Sequence, residues 1–317
     1  MPAVKTERAI PAVVQVPQRA ARSPGRELLV GLFRKRSAVL GMAMLGALGL
    51  LAIFAPLIAT HDPIQVLIGI EEVERRAPPC IHLLGCSADQ PQHIFGTDGN
   101  VRDLFSRVVY GSRFSLFIGF STVGFAIIVG GLLGAVAGYA GGRVDNAIMR
   151  VMDVLLAFPA LLLAIAIVAV LGPGLINALL AIGIVSIPVY ARVMRASVLS
   201  VKEMEFVLAA RAVGASPSRI LFGHILINSV TPLVVQGTLG IASAILDAAA
   251  LSFLGLGAQP PTPEWGSMLG TERNQVFTAP HLVFFPGLAI MITVLSFNLL
   301  GDGLRDALDP RLRGIKA

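Results

Sequence analysis

The sequence predicts an all-α, polytopic membrane protein with six transmembrane helices, and three observations support this fold class. Of the 317 residues, 55% are hydrophobic and only 14% are charged, whereas a typical soluble domain has about 25% charged residues. The mean hydropathy is +0.78. The apolar residues occur in long runs and not in the two-residue alternation of a membrane β-barrel. These features argue against a soluble enzyme, a disordered chain, collagen and a coiled coil.

Six apolar runs are long enough, or nearly so, to cross the hydrocarbon core of a bilayer, which takes roughly 20 residues as a helix. They are Ala38–Ala59, Ser115–Tyr139, Val151–Leu171, Gly174–Ala191, Ser229–Leu254 and Leu282–Leu300. The fourth run is short, and we expect its helix to continue into Arg192–Leu199. The six runs contain only two formal charges, Asp153 and Asp247.

The distribution of basic residues predicts that both termini face the cytoplasm. In that orientation 19 of the 25 Lys and Arg residues lie inside and 6 lie outside, as the positive-inside rule requires. Residues 1–37 lack the cleavage site of a secretory signal, and we expect a mostly disordered cytoplasmic tail there and a second tail at residues 303–317. The net charge of +6 suits the anionic inner leaflet of the lipid membrane and implies no nucleic-acid partner.

Both cysteines lie in the external loop between the first two spans, residues 60–113. Cys80 and Cys86 are close in sequence and face an oxidising exterior, which permits a disulfide. Two free thiols are an alternative, and so is a zinc site that His82 and His93 complete, since structural zinc takes four ligands.

The same loop contains the pattern of an amphipathic helix. Apolar residues recur at i, i+3, i+4, i+7 and i+8 over residues 101–109, and polar residues occupy the other face. Asp98 or Asn100 is expected to cap its start. We expect this helix to lie on the outer membrane surface, where it either anchors the loop or shapes the mouth of a translocation path.

The cytoplasmic loop of residues 192–228 is predicted to form a short helical hairpin. Lys202–Val213 has the pattern of a helix, which Gly214 ends because glycine adopts the left-handed conformation most easily. Ser216 is a good N-cap and Pro217 a good first residue for a second helix. A helical elbow outside the membrane indicates a docking surface for a cytoplasmic partner.

Several motifs resemble the permeases of ABC importers. Ala209-Ala210-x3-Gly214, followed by Leu226, resembles the motif that contacts an ATPase subunit. Four stretches resemble the second, C-type permease subunit of dipeptide and oligopeptide transporters. Three are continuous: Glu205–Ser216, Ser252–Gly266 and Phe297–Pro310. The fourth begins at Phe95–Asp98 and continues with Arg102-Asp103, Ser106-Arg107, Tyr110-Gly111 and Arg113-x-Ser115-Leu116. The resemblance covers residues 30 to 314. Two positions depart from it: Ile227 replaces a usual proline, and Val101 replaces a usual glycine.

The resemblance implies the fold of a type I ABC importer permease, with a transmembrane core at residues 114–302. It implies that the ATPase contact is made by Glu205, Ala209, Ala210, Arg211, Gly214 and Ala215. The implied partners are a second homologous permease subunit, two cytoplasmic ATPase subunits and an extracytoplasmic peptide-binding protein, in the cytoplasmic (inner) membrane of a bacterium or archaeon. Permeases of this kind are not enzymes, so the resemblance implies that this chain is not an enzyme and holds no cofactor, with ATP and Mg on the partner subunits. The sequence agrees, because it has no Gly-Lys pair and therefore no Walker A loop.

The two carboxylates within the spans are predicted to have different roles. Asp153 lies three residues after Arg150, and we expect an i,i+3 ion pair on one helix. Asp247 lies near the outer end of the fifth span, and an ionisable group inside a span predicts a functional site. It either faces the path and binds the amino group of a peptide or hydrogen-bonds between helices.

Small residues and prolines predict how the spans pack. A four-residue ladder of glycines allows a close helix approach, either within this chain or at the interface between two permeases; its members are Gly130, Gly134, Gly138 and Gly142. Pro159, Pro188 and Pro286 are expected to bend their helices around a path.

The predicted function is ATP-driven import of dipeptides or short oligopeptides, with glutathione or a nickel complex as alternative cargo. An ion-coupled secondary transporter is a second class, but it typically shows internal repeats and several intramembrane ionisable groups. A membrane scaffold or receptor is a third class, and it would not need the cytoplasmic elbow.

Overall fold

The computed structural model describes residues 31–33, 35–87 and 89–308. Within these ranges the regular secondary structure is helical apart from isolated β-bridges, and residues 59–103 form a mostly irregular loop. The helices are α1 (Arg36–Ile53), α2 (Ala55–Ile58), α3 (Leu104–Ala140), α4 (Gly142–Leu156), α5 (Ala160–Leu171), α6 (Leu175–Val201), α7 (Glu205–Ala212), α8 (Pro217–Ile220), a π-helical turn (Leu221–Ile225), α9 (Leu226–Ser229), α10 (Thr231–Phe253), α11 (Trp265–Glu272) and α12 (His281–Leu308). Short 3-10 turns occur at His82–Leu84 and Arg273–Gln275. Most of the expected N-terminal tail lies outside the described residues.

The all-α fold is confirmed, and five helices are long and apolar enough to cross a membrane: α1, α3, α6, α10 and α12. The pair α4 and α5 passes the same test only together, because the two helices are bent by 91° relative to each other. If that pair counts as one span, the total is the predicted six.

The run Val151–Leu171 was predicted to be one span bent at Pro159; the bend is confirmed, but it divides the span into two helices. The helix breaks between Leu156 and Ala160, around Phe158 and Pro159. A proline has no N–H for the helical ladder and disfavours helical geometry in the residue before it. The 12 residues of α5 span only about 18 Å at 1.5 Å per residue, so α5 alone cannot cross the bilayer.

The helix predicted over residues 101–109 does lead into the second span as expected, but it is not a distinct surface helix. The helix begins at Leu104 and continues without a break through the second span to Ala140. Its N-cap is Asp103, not Asp98 or Asn100, and the carboxylate accepts a hydrogen bond from the Ser106 N–H at 2.7 Å. Val101 adopts φ +57°, a left-handed conformation that a β-branched residue rarely takes, which explains why the resembling family favours glycine at this position.

The last helix is longer than its apolar run. It ends at Leu308, so its final turns occupy the start of the segment that was expected to be a tail. The extension of α6 into Arg192–Leu199 is confirmed, because that helix ends at Val201.

The centre of the chain is built on the contact between α3 and α6. A Cβ at Gly130 would lie 2.6 Å from the Ile187 carbonyl oxygen, and one at Gly134 would collide with the Ala191 carbonyl. A Cβ at Gly138 would lie 3.0 Å from the Val198 side chain. Packing within the chain is therefore confirmed for these three glycines.

The fourth member of the ladder does not take part in this contact. Gly142 has no atom within 4 Å of an added Cβ and has φ +54°, so it starts α4 after the turn at Gly141. The ladder therefore ends where α3 ends.

Buried polar contacts hold the external side together. Arg102 donates to Asp98 at 2.7 Å, and the Arg107 guanidinium donates to the Pro63 carbonyl at 2.8 Å. The Trp265 indole N–H donates to the Val108 carbonyl at 2.9 Å. The polar face of the amphipathic pattern is thus part of an interior polar network. Its residues Arg102, Asp103, Ser106 and Arg107 are all buried.

Glu264 fixes the helix that follows the fifth span. Its carboxylate caps α11 by accepting hydrogen bonds from the backbone N–H groups of Gly266 and Ser267, at 3.0 and 2.8 Å. Burial raises the pKa of Glu264 even though these hydrogen bonds favour the ionised form. Because α11 supplies Trp265, this cap also positions the indole against α3.

The α3–α6 contact makes a testable prediction about two glycines of the same helix. Gly134→Ala should destabilise the protein by about 1–3 kcal/mol, the usual cost of overpacking, because its methyl group has no space beside Ala191. Gly124→Ala is the matched control, since nothing lies within 4 Å of a Cβ there and alanine favours a helix. The measurement is the thermal midpoint of each full-length variant in detergent. Equal midpoints for the two variants would contradict the proposed contact.

Candidate coupling surface and intramembrane cavity

The elbow between α6 and α10, predicted to be cytoplasmic, begins with α7, whose end has the geometry that the sequence predicts. The Gly214 N–H donates to the Arg211 carbonyl at 3.0 Å, and the Ala215 N–H donates to the Ala210 carbonyl at 3.1 Å. With Gly214 at φ +82°, these two bonds form a Schellman motif that terminates the helix. The first arm is shorter than predicted, because Lys202–Met204 form a turn and not helix.

The second arm is less regular than predicted. Ser216 occupies the N-cap position and Pro217 the first helical position, but the Ser216 side chain makes no capping hydrogen bond. The arm consists of α8, the π-helical turn and α9, which lead directly to the start of α10. A π-helical turn rotates the residues that follow it around the helix axis. The spacing of the apolar residues in the sequence does not predict such a turn.

The elbow has a buried underside and an exposed surface. Val207 and Ile225 are fully buried against the transmembrane core, and Ile220 is 2% exposed. Of the residues predicted to contact an ATPase, Glu205, Ala209, Arg211 and Gly214 are exposed, whereas Ala210 and Ala215 are half-buried and pack on the core. The predicted set is therefore brought into one elbow but divided between its two faces.

Large apolar side chains on the exposed surface were missed by the sequence analysis. Phe206, Leu208 and Phe222 are 40–50% exposed, and Val213 at the tip is 88% exposed. Apolar groups beside Glu205 and Arg211, on a segment outside the apolar runs, are typical of a surface that a protein partner covers. We call the exposed residues Glu205, Phe206, Leu208, Ala209, Arg211, Val213, Gly214 and Phe222 the elbow surface.

Ion pairs join α6, which leads into the elbow, to the neighbouring helix α4. Arg195 makes a two-pronged contact with Asp145, with both N···O distances 2.6 Å. The predicted pair of Asp153 with Arg150 was wrong, because Asp153 contacts Arg192 at 2.6 Å. The reason is that the adjacent helix places an arginine closer to Asp153 than its own helix does.

A further contact links the same end of α6 to α3. The Lys202 ammonium donates to the Gly138 carbonyl at 3.1 Å, where the end of α3 leaves carbonyl groups without helical partners. Together with the Asp145–Arg195 pair, this contact fixes the base of the elbow to the glycine-packed core.

Asp247 lies on α10 and lines a cavity of 130 Å³. The broken span contributes Leu155, Phe158 and Ala160 to the same cavity, and α6 contributes Ser186 among others. Asp247 is half-buried and makes no hydrogen bond or ion pair within the described residues. The interhelical hydrogen bond considered as an alternative is thus not formed there, and the carboxylate faces the bend between α4 and α5.

The two cysteines of the external loop are joined in a disulfide, with their Cα atoms 5.4 Å apart. His82 is exposed and hydrogen-bonds to the Gln90 carbonyl at 2.7 Å. Because the thiols are paired with each other, the alternative zinc site formed by these cysteines with His82 and His93 is not built in this structure.

Comparison with known proteins identifies two family regions in the chain. Residues 130–314, more than half of the chain, match the family described as binding-protein-dependent transport system inner membrane component. Residues 23–79 match the N-terminal transmembrane domain of oligopeptide transport permease C.

Full-length relatives support the same assignment. A dipeptide transport system permease protein of Alkalihalophilus pseudofirmus is 48% identical, with 98% of this chain and 100% of the relative covered. A di/tripeptide transport system permease protein of Pseudomonas aeruginosa is 46% identical, with 92% and 93% covered. A glutathione transport system permease protein of Pectobacterium atrosepticum is 51% identical over 70% of this chain and 73% of its own length.

A solved structure shares the fold. The methionine ABC transporter in an inward-facing conformation matches with a TM-score of 0.53 at 18% identity, covering 64% of this chain and 97% of the matched chain. The matched family region and the relatives that are 46–48% identical over nearly the whole length show that this chain belongs to the family of binding-protein-dependent transport system inner membrane components.

Proposed function

We propose that this chain is the transmembrane permease subunit of an ATP-driven importer of dipeptides or short oligopeptides. The single observation that carries the proposal is the elbow surface, which is exposed, partly apolar and fixed to two membrane-spanning helices. The cargo is inferred from the relatives, since those named for dipeptide or di/tripeptide transport align over nearly the whole chain.

The structure supports a route by which an ATPase could drive the permease. A force on the elbow surface would reach α6 through the turn Lys202–Met204, which connects α6 to α7. It would reach α10 through α9, which directly precedes α10. Between those two helices lies the cavity with Asp247, bounded on its third side by the broken span. A tilt of α6 against α10 would therefore change the shape of this cavity, as alternating access requires.

The remaining parts of the machine are assigned to other chains. ATP and Mg would bind two cytoplasmic ATPase subunits, a second homologous permease subunit would complete the path, and an extracytoplasmic binding protein would deliver the peptide. With both termini in the cytoplasm, the elbow faces the ATPases and the disulfide lies outside, which the positive-inside distribution supports.

Glutathione is the second candidate cargo, because the chain is 51–52% identical to glutathione permeases over about 70% of its length. Glutathione is itself a short peptide with a free amino group, so the Asp247 carboxylate could bind that group in either cargo.

The function is tested by uptake of a labelled dipeptide in cells that lack this chain, with and without its restoration. Uptake should return with the chain, fail on ATP depletion, and survive collapse of the proton gradient while ATP is maintained. Uptake that follows the gradient instead would favour a secondary transporter. Glutathione uptake without dipeptide uptake would keep the transport machine and change the cargo.

The elbow surface predicts that a charge at Gly214 uncouples transport from ATP. Gly214→Asp should lower uptake by about tenfold, the scale of a coupling free energy of 1–3 kcal/mol between sites, while membrane insertion stays normal. Asp and Asn both tolerate the left-handed conformation, so Gly214→Asn is the matched uncharged control and should retain more uptake.

The readout is uptake per correctly inserted permease, together with the ATPase activity of the assembled complex. Normal uptake by Gly214→Asp at normal expression would contradict the proposed coupling role. Equal losses in Asp and Asn variants would mean that the size of the side chain, not its charge, disturbs the contact.

The cavity predicts that Asp247→Asn alters transport more than folding. A carboxylate that binds a peptide amino group contributes about 1.5–3 kcal/mol, so the KM for peptides with a free amino group should rise about tenfold or more. Peptides with an acetylated amino terminus should show no such change. Ser186→Ala, in the same cavity, is the control without a charge, and unchanged kinetics of Asp247→Asn across a peptide series would refute the assignment.

A further inference from the structure

The external side of the molecule contains a group of metal-ligating side chains that the transport proposal does not use. His61 follows α2, while Glu71 and His93 lie further along the external loop. One ligand atom from each of the three side chains lies within 4.8 Å of the other two. We call His61, Glu71 and His93 the loop triad.

The atoms of the loop triad are spaced like ligands around one ion. The His61 Nε2 lies 3.3 Å from one Glu71 carboxylate oxygen, and the His93 Nε2 lies 3.2 Å from the other. Two ligand atoms on a tetrahedral zinc ion, with bonds of 2.0–2.1 Å, lie about 3.3 Å apart. These two histidine–carboxylate distances match that spacing, although they involve different oxygens of Glu71. The three ligand atoms taken together lie within 4.8 Å of one another, so side-chain rotation would bring them onto one ion.

Two atoms of the loop triad are buried without a hydrogen bond. The His93 Nε2 and the Glu71 Oε2 have no hydrogen-bond partner among the described residues, even though they lie close to each other. The whole His93 residue is 1% exposed. Buried polar atoms almost always have a partner, so this pair requires either a proton shared by the two atoms or an ion bound by both.

Neighbouring residues orient both imidazoles with Nε2 towards the centre. The His93 Nδ1 lies 2.9 Å from the Asp103 carboxylate, which accepts a hydrogen bond from the Nδ1–H group. The His61 Nδ1 lies 2.9 Å from the Thr60 hydroxyl, whose own proton points to Asp103 at 3.4 Å. A carboxylate that fixes the far nitrogen of a histidine is typical of metal sites, where it sets the tautomer and strengthens the ligand.

The local charge also favours a cation. Glu71 and Asp103 have only histidines as ion-pair partners within the described part of the chain. The nearby Arg102 and Arg107 are directed to Asp98 instead. With both histidines neutral, two carboxylates share a mostly buried space, and a divalent ion would neutralise them.

We propose that His61, Glu71 and His93 form a binding site for a divalent transition metal, with zinc as the favoured ion. Two imidazoles and one carboxylate suit zinc and its neighbours, whereas calcium and magnesium prefer oxygen ligands alone. Three protein ligands leave a position for water or for a group from another chain. The ion would tie the loop after α2 to the segment that leads into α3.

The competing explanation is a protonated cluster without a metal. Burial lowers the pKa of His93, but the hydrogen bond to Asp103 and the nearby charges of Asp103 and Glu71 together outweigh that effect and raise the pKa. Such a cluster would be held by ion pairs alone and would bind neither cobalt nor zinc. A metal titration therefore distinguishes the two explanations.

The test uses the full-length chain, purified in detergent with a tag that contains no histidine and then stripped of metal. Co²⁺ is the probe, since its visible absorption intensifies when nitrogen and carboxylate ligands replace water in a four- or five-coordinate site. The protein should show this spectrum at stoichiometric Co²⁺, zinc should displace it, and zinc should raise the thermal midpoint by mass action.

Variants identify the ligands. His61→Ala and Glu71→Gln should each lower the apparent metal affinity by at least tenfold, since even the loss of an outer-shell partner costs about 10- to 100-fold. His82→Ala, an exposed histidine of the same loop, is the matched control and should bind like the parent. His61 and Glu71 are less buried than His93, so their variants keep the test independent of a folding defect at His93.

Either of two results would overturn the proposal. One is the absence of a cobalt spectrum in a protein that is folded by its thermal transition. The other is binding that His82→Ala lowers but Glu71→Gln does not, which would place the ion elsewhere in the loop. Both results leave peptide transport untouched, so failure of the metal site is distinct from failure of the proposed function.

Discussion

The close approach of α3 and α6 is the constraint on which the rest of the structure depends. In lipid there is no hydrophobic force between helices, so association rests on close packing and on polar contacts. Gly130 and Gly134 allow the backbone of α6 to lie against α3 at Ile187 and Ala191. That contact fixes where α6 leaves the membrane core, and hence where the elbow starts.

The polar contacts at the cytoplasmic end extend this packing into the elbow. The Asp145–Arg195 pair and the Lys202–Gly138 bond act on the last turns of α6, so those turns cannot move without α3 and α4. The buried side chains Val207 and Ile225 then hold both arms of the elbow against the core. A partner that pushes on the elbow surface therefore moves packed helices and not a loose loop.

Much of the fold was predictable from the sequence. Long apolar runs predict helices that cross a membrane, and a glycine such as Gly214 predicts the end of a helix. The partner of Asp153 was not predictable, since it depends on which arginine an adjacent helix brings close. A bend at Pro159 was predicted, but the sequence did not show that the bend divides the span into two helices. The loop triad could not be found by motif, because its residues are far apart in the chain and only the fold of the loop brings them together.

The two sides of the membrane are built by different means, and this difference suits an alternating machine. On one side, the buried Asp98–Arg102 pair and the disulfide stabilise the loop of residues 60–113 itself, and the stacked rings of Phe95 and Phe285, 3.8 Å apart, hold that loop to α12. On the other side, the elbow presents apolar side chains that nothing in the described chain covers. If a partner acts on the elbow, as proposed above, its force therefore enters at one end of the molecule, while the opposite side is held by contacts within the chain. The half-buried carboxylate of Asp247 lies between them, in the cavity whose walls such movement would shift.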